Sequence, residues 1–272
     1  MEVLDEKLWP TETLTTWEAF AGRASSLTER AATGRNILFR GQSQPWTLRP
    51  RIGRELPPGT KVGHLMEAER KAIEHFRSMA HLHAAERMPA GYETQPDRRE
   101  WLVRMQHFGA PTPLIDWSAS PYVAAYFAAE KDFDKDGVIL VIDADAIDKA
   151  RALRAANAET ARKAGTRSKP DVKAWMRRLE WFTPAVKTMR IAQQQGYFTS
   201  AMSVAPHDAE LSSVGAILGQ WIIPHSQKQA MLLHLWRMNV AAHTLFPGLD
   251  GLGRSTADVV RMHLTHIGQV AE

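Results

Sequence analysis

The chain has no cysteine. Disulfides, thiol nucleophiles and cysteine-ligated zinc are therefore excluded, and a reducing, cytoplasmic setting is the natural expectation. No apolar run approaches the roughly 20 residues that a membrane-crossing helix needs. The opening Met1-Glu2-Val3-Leu4-Asp5-Glu6 is acidic and lacks the basic start and apolar stretch of a signal peptide. The glycine-rich phosphate loop, the dinucleotide-binding fingerprint and the Gly-x-Ser-x-Gly elbow are all missing. His81-x-His83 and His263-x-x-His266 lack a third ligand at usable spacing, so no metal is expected. Internal repeats and low-complexity tracts are absent too.

What remains is a chain of 272 residues, 44% hydrophobic and 24% charged, large enough to bury a good core. The net charge of +4 is small, but it is unevenly spread. Residues 35–54 hold five Arg and no acid, and residues 151–178 hold nine Lys or Arg against Glu159 and Asp171. Such stretches attract phosphates, although a solvated helix face and a long basic loop explain the second more simply.

Periodicity predicts helices over 13–33, 64–87, 97–108, 121–130, 144–163, 171–179, 226–239 and 255–267. Residues 44–60 and 165–170 read as loops. Strands are expected at 36–40, near 189–193, at 196–200 and at 219–223. The continuous apolar run Gly137–Asp143 reads as a buried central strand. The expectation is one α+β domain of short strands among helices.

Three polar stations stand out. Phe39-Arg40-Gly41-Gln42 ends the first strand, where an Arg suits bidentate binding of a phosphate or carboxylate, or a structural salt bridge. The second station, residues 106–121, packs His107, Asp116, Trp117, Ser118, Ser120 and three Pro together and reads as a rigid, proline-braced loop before a helix. Ser120-Pro121 suits a helix N-cap as well as a ligand contact. Trp117 suits a stacking platform or a core position, and His107 a catalytic base or a satisfied helix-end histidine. The third, Arg190-Ile191-Ala192-Gln193-Gln194-Gln195-Gly196-Tyr197-Phe198, offers amides to a ribose or base, or is a hairpin edge.

These stations resemble the FRG domain family. The resemblance rests on Phe39-Arg40-Gly41-Gln42 with Trp46, Leu48 and Pro50, and on Gln106-His107-Phe108-Gly109-x-Pro111-Thr112-x-Leu114-x-Asp116-Trp117-Ser118-x-Ser120-Pro121-x-x-Ala124-x-x-Phe127-Ala128. Arg190-Ile191-x-x-Gln194-Gln195-Gly196-x-Phe198 and the tail Leu245–Leu252 extend it, over roughly residues 35–255. That division makes 1–34 an N-terminal helical extension and 35–272 the FRG domain. The layout in turn resembles the ADP-ribosyltransferase scaffold, which implies a split β-sheet core surrounded by helices, with NAD as the substrate.

On that resemblance Arg40 holds NAD, Ser118-x-Ser120 with Ala124-x-x-Phe127 lines a nicotinamide pocket, and Gln195 takes the third-strand position. Gln42, Trp117 and Phe127 join the NAD-binding set; Asp116 and His107 join Arg40 and Gln195 as catalytic candidates. Many such transferases carry a Glu where this chain has Gln194-Gln195, so Asp116, or else Glu210 or Glu180, would have to supply the charge. The implied activity is that of an intracellular toxin of a toxin–antitoxin or phage-defence system, paired with an antitoxin. Its acceptor would be RNA before protein, as the basic stretches tilt the choice. The alternatives are a non-catalytic nucleotide- or nucleic-acid-binding module and an NAD glycohydrolase.

Overall fold

The computed structural model describes residues 2–57, 59–83, 97–163, 179–201 and 205–270, with backbone alone for 161, 162 and 262–270. The basic loop expected at 165–170 and most of the helix expected at 171–179 lie outside the described residues. Seven strands form one sheet: β1 (Thr11–Thr13), β2 (Ile37–Gln42), β3 (Leu114–Ser118), β4 (Gly137–Asp143), β5 (Glu180–Phe182), β6 (Gly196–Ser200) and β7 (Ile217–Ile223). Their order is β1-β7-β4-β2-β3-β6-β5, antiparallel except for the parallel pair β1 and β7.

β4 explains why its sequence is apolar at consecutive positions. Ile139 and Val141 enter a core on one face, while Val138, Leu140 and Ile142 enter a second core on the other. In chain order the helices begin α1 (Trp17–Ala32), α2 (Arg51–Glu55), α3 (Val62–His83), α4 (Arg98–His107) and α5 (Pro121–Ala129); the first core is closed by α1, α5 and a helix at Lys228–Arg237. The second is closed by the N-terminal residues Leu4 and Trp9, by Ile147 of α6 (Ala144–Lys163) and by Leu211. Residues 2–34 are thus part of the same body. β1 completes the sheet edge on β7, α1 buries Phe20, Ala24 and Leu27, and Trp9 donates its indole N–H to Asp208 Oδ1 at 2.8 Å.

Two expectations fail for physical reasons. Met189–Gln193 is a helix, not a strand: Thr188 caps it by accepting from Ile191 N–H at 3.3 Å, and Met, Arg, Ala and Gln all favour helix. Leu114–Ser118 is a strand where a rigid loop was expected. Ile115 and Trp117 alternate into the core and the whole segment pairs with β6.

α5 lies unusually close to the sheet, and glycine makes this possible. A Cβ at Gly41 on β2 would fall 1.8 Å from Ala124 O, and one at Gly137 on β4 would fall 2.2 Å from Ala128 O. The helix meets these glycines with Ala124 and Ala128, so the small residues of Ala-x-x-Phe set the approach distance. Behind them the buried Lys228 ammonium donates to the carbonyls of Ser43, Lys131 and Asp132 at 2.8–2.9 Å. That fixes the chain leaving β2.

Candidate functional site

The sheet is split. Its other ladders run over three to six residue pairs, but β2 and β3 pair only at Phe39–Ser118. Where the ladder would continue, the Arg40 side chain reaches across instead, its Nη1–H donating to Asp116 O at 2.8 Å. Its Nε–H donates to Gln42 Oε1 at 3.3 Å, and Gln42 is in turn held by Trp46 O at 2.6 Å. A cleft of about 330 Å³ opens at this split, within the usual range of ligand sites.

The cleft is cationic. Arg40, Arg51, Arg54 and Arg190 line it, with His107, and among its lining residues Asp116 is the single carboxylate. Asp116 Oδ2 stands 3.8 Å from Arg40 Nη1, and its side chain is 61% exposed, so it is turned toward the open cleft. Burial draws the Arg40 guanidinium below the ordinary arginine value; Asp116 opposes that pull and Arg54 adds to it. Burial does the same to Arg190, again opposed by Asp116. Both remain cations at neutral pH, because an arginine begins so far above it. Desolvated guanidiniums around one carboxylate gain from a phosphate more than solvated ones would. Apolar walls come from Phe127, Val103, Ile191 and Phe198.

The expected site residues divide as follows. Arg40, Asp116, His107, Ser118 and Phe127 come together on the cleft. Ser118 is committed to structure: its hydroxyl donates to Gln194 O at 2.7 Å and accepts from Ser120 N–H at 2.9 Å. Ser120 is the helix cap, accepting from Val123 N–H at 3.3 Å. Trp117 borders the cleft, yet the residue is 3% exposed and its indole N–H donates to Thr199 Oγ1 at 2.9 Å, so it is a core residue with no face for stacking. Gln42 stays behind Arg40 and positions it.

Gln195 does not line the cleft. It occupies a left-handed turn at φ 47° with an exposed side chain, and Gln194 lines the cleft in its place. The Gln194 amide donates to Leu245 O at 3.0 Å. Glu180 pairs with Arg99 at 2.5 Å, and neither it nor Glu210 lines the cleft.

Three residues that sequence reasoning did not single out bear on this site: two line the cleft, and one lies within reach of the Arg40 charge without lining it. Arg51 and Arg54 come from α2 (Arg51–Glu55), inside the stretch read as a loop. Their i,i+3 spacing after Pro50 was the available signal. The third is His207, which no local pattern marks. It is fully buried, and neither ring nitrogen has a hydrogen-bond partner.

Burial, reinforced by the charge of Arg40, pushes the His207 imidazole down to about 4 from 6.5. The unfolded chain therefore takes up this proton near pH 6.5, while the folded chain resists until about pH 4. The stability it confers is complete above the first value and is lost as pH falls through the second. The loss amounts to about 3 kcal/mol between pH 7 and pH 4. His207→Phe should flatten that part of the slope in urea titrations at the two pH values; an unchanged slope would place the titrating group elsewhere.

Among the described residues no helix is long and apolar enough to cross a membrane, and no three His, Cys, Asp or Glu gather as a metal site. The fold and cleft define an α+β domain with a split mixed sheet and an arginine-lined opening at the split. Residues 35–137 match the family model of the FRG domain. The matched span carries Arg40, α2 and the whole His107–Phe127 segment, and ends at the first residue of β4. Comparisons with curated proteins and with solved structures gave no match.

Proposed function

We propose that the cleft binds NAD and that the chain transfers ADP-ribose from it to an acceptor, RNA before protein. The observation that carries this reading is the pair Arg40 and Arg190 flanking the exposed carboxylate of Asp116 at the split of the sheet. Guanidiniums of this kind take a diphosphate, and the adjoining Phe127 offers an aromatic wall for nicotinamide. The split sheet, Arg40 on the strand beside it and Ala124-x-x-Phe127 on the following helix agree with the ADP-ribosyltransferase resemblance.

The chemistry needs little more. As the ribose C1′–nitrogen bond breaks, its electron pair leaves with nicotinamide as a neutral molecule, and positive charge develops on the ribose. A carboxylate beside that carbon stabilises the cation. Asp116 is the one carboxylate among the described residues of the cleft lining, and its exposure leaves it free to approach the sugar. The acceptor hydroxyl or phosphate oxygen then bonds to C1′, and any proton it loses passes to Asp116 or His107. The cellular reading is an intracellular toxin of a toxin–antitoxin or phage-defence system, held in check by an antitoxin.

One observation favours a second reading. Gln194, rather than an acid, lines the cleft at the end of the third station, and an uncharged amide suits a module that binds a dinucleotide without cleaving it. NAD labelled in its adenylate phosphate, incubated with RNA, DNA or cell protein, separates the cases. Label on RNA supports transfer; free ADP-ribose identifies a glycohydrolase. Saturable NAD binding with no product identifies the non-catalytic module.

A further inference from the structure

Two arginines of the cleft are left over by that reading. Arg51 and Arg54 share one face of α2, opposite the buried Ile52. The helix is anchored where Ile52 N–H donates to Thr112 O at 3.1 Å. Arg51 lies beside the turn before β3: a Cβ placed on Gly109, at φ 81°, would meet its Nη1 at 3.6 Å. Its one acidic neighbour is Glu55 at 4.0 Å, an exposed contact of little worth. Arg54 has no ion pair or hydrogen bond among the described residues, and its charge bears on Arg40, a like charge.

The single lining carboxylate sits elsewhere. Asp116 acts on Arg40 and Arg190, which leaves no carboxylate among the described lining residues at the α2 end of the cleft, where Glu55 meets Arg51 only at 4.0 Å from outside the lining. Four guanidiniums against one carboxylate accommodate more negative charge than the two units of a diphosphate. Arg51 and Arg54 are exposed, whereas Arg40 is largely buried. Exposed guanidiniums at the mouth suit a phosphate that arrives from solvent on a second molecule.

We propose that Arg51 and Arg54 form a phosphate subsite for the acceptor, holding a backbone or terminal phosphate of RNA beside His107 while the dinucleotide's diphosphate occupies Arg40 and Arg190. The assignment rests on the transfer reading for the acceptor's role, but the subsite itself is a matter of binding alone.

The test is fluorescence anisotropy of a short, 5′-phosphorylated, dye-labelled oligoribonucleotide, titrated with the full chain and with Arg51→Gln/Arg54→Gln over a salt series. The double variant is expected to bind about tenfold more weakly, and its salt slope to fall by about 1.4, the share of two single-strand phosphate contacts. Calorimetric titration with NAD should give the same affinity for both proteins. Unchanged RNA affinity and salt slope would overturn the subsite. An equal loss of NAD affinity would assign these arginines to the dinucleotide. Tighter binding of NADP than NAD by the full chain, lost in the variant, would assign them to a ribose 2′-phosphate. RNA binding that depends on Arg51 and Arg54 in a chain that never turns over NAD would sink the transfer reading and leave the subsite standing.

Discussion

Alanine at Arg40 is expected to weaken NAD binding by about a hundredfold, the worth of two charge-assisted hydrogen bonds to phosphate. Folding should change little. The groups released are the Asp116 carbonyl and the Gln42 amide, and the first of these borders an open cleft where water can replace the guanidinium. Lysine at the same position keeps the charge but loses the planar fork, so it should recover only part of the affinity. Calorimetric titration with NAD, beside a thermal melt, checks both halves. Wild-type affinity in Arg40→Ala would move the nucleotide out of this cleft.

Alanine at Gly41 should act on folding. Its Cβ would stand 1.8 Å from Ala124 O and 2.7 Å from Ala128 N, backbone atoms that cannot rotate away. Relief requires α5 to lift from β2, which opens the first core around Phe39, Val123 and Ile139. A cost of about 4 kcal/mol or more follows, enough to consume much of a typical domain's stability. Urea unfolding measures it, and a stable Gly41→Ala variant would mean that the helix does not sit where the structure places it. The glycine of Phe-Arg-Gly thus serves the helix, while its arginine serves the cleft.

The parts of this fold that were legible are those whose signals are local. Gly137–Asp143 announces a strand buried on both faces, and Ser120-Pro121 announces the start of α5 through a cap and a fixed φ. β1 carries no such signal, because Thr11-Glu12-Thr13 is exposed and is a strand only through its pairing with β7. β3 was hidden by its neighbours: Pro111 and Pro113 suggested a loop, and two inward residues are too few to show alternation.

The site follows the same rule. Arg40, Asp116, His107 and Phe127, which the motifs single out, all line the cleft. The choice between Gln194 and Gln195 depends on one left-handed φ, which sequence alone does not reveal. His207 enters the neighbourhood of Arg40 only by the packing of the second core's side of the sheet. The basic stretch at 35–54 separates in space: Arg40, Arg51 and Arg54 face the cleft, while Arg35 pairs with Asp143 and Arg49 with Glu2.

The proposed cleavage of NAD in the arginine-lined cleft, with Asp116 beside the ribose, liberates one nicotinamide per turnover. Release of free nicotinamide tests it most directly. The purified chain is incubated with NAD and RNA, and nicotinamide is quantified by chromatography beside Asp116→Asn. Release is expected to depend on RNA in the wild-type chain and to fall at least about a hundredfold in the variant, as when a charge made for the transition state is removed. NAD recovered intact after incubation with a chain that demonstrably binds it, whatever acceptor is supplied, would contradict the account.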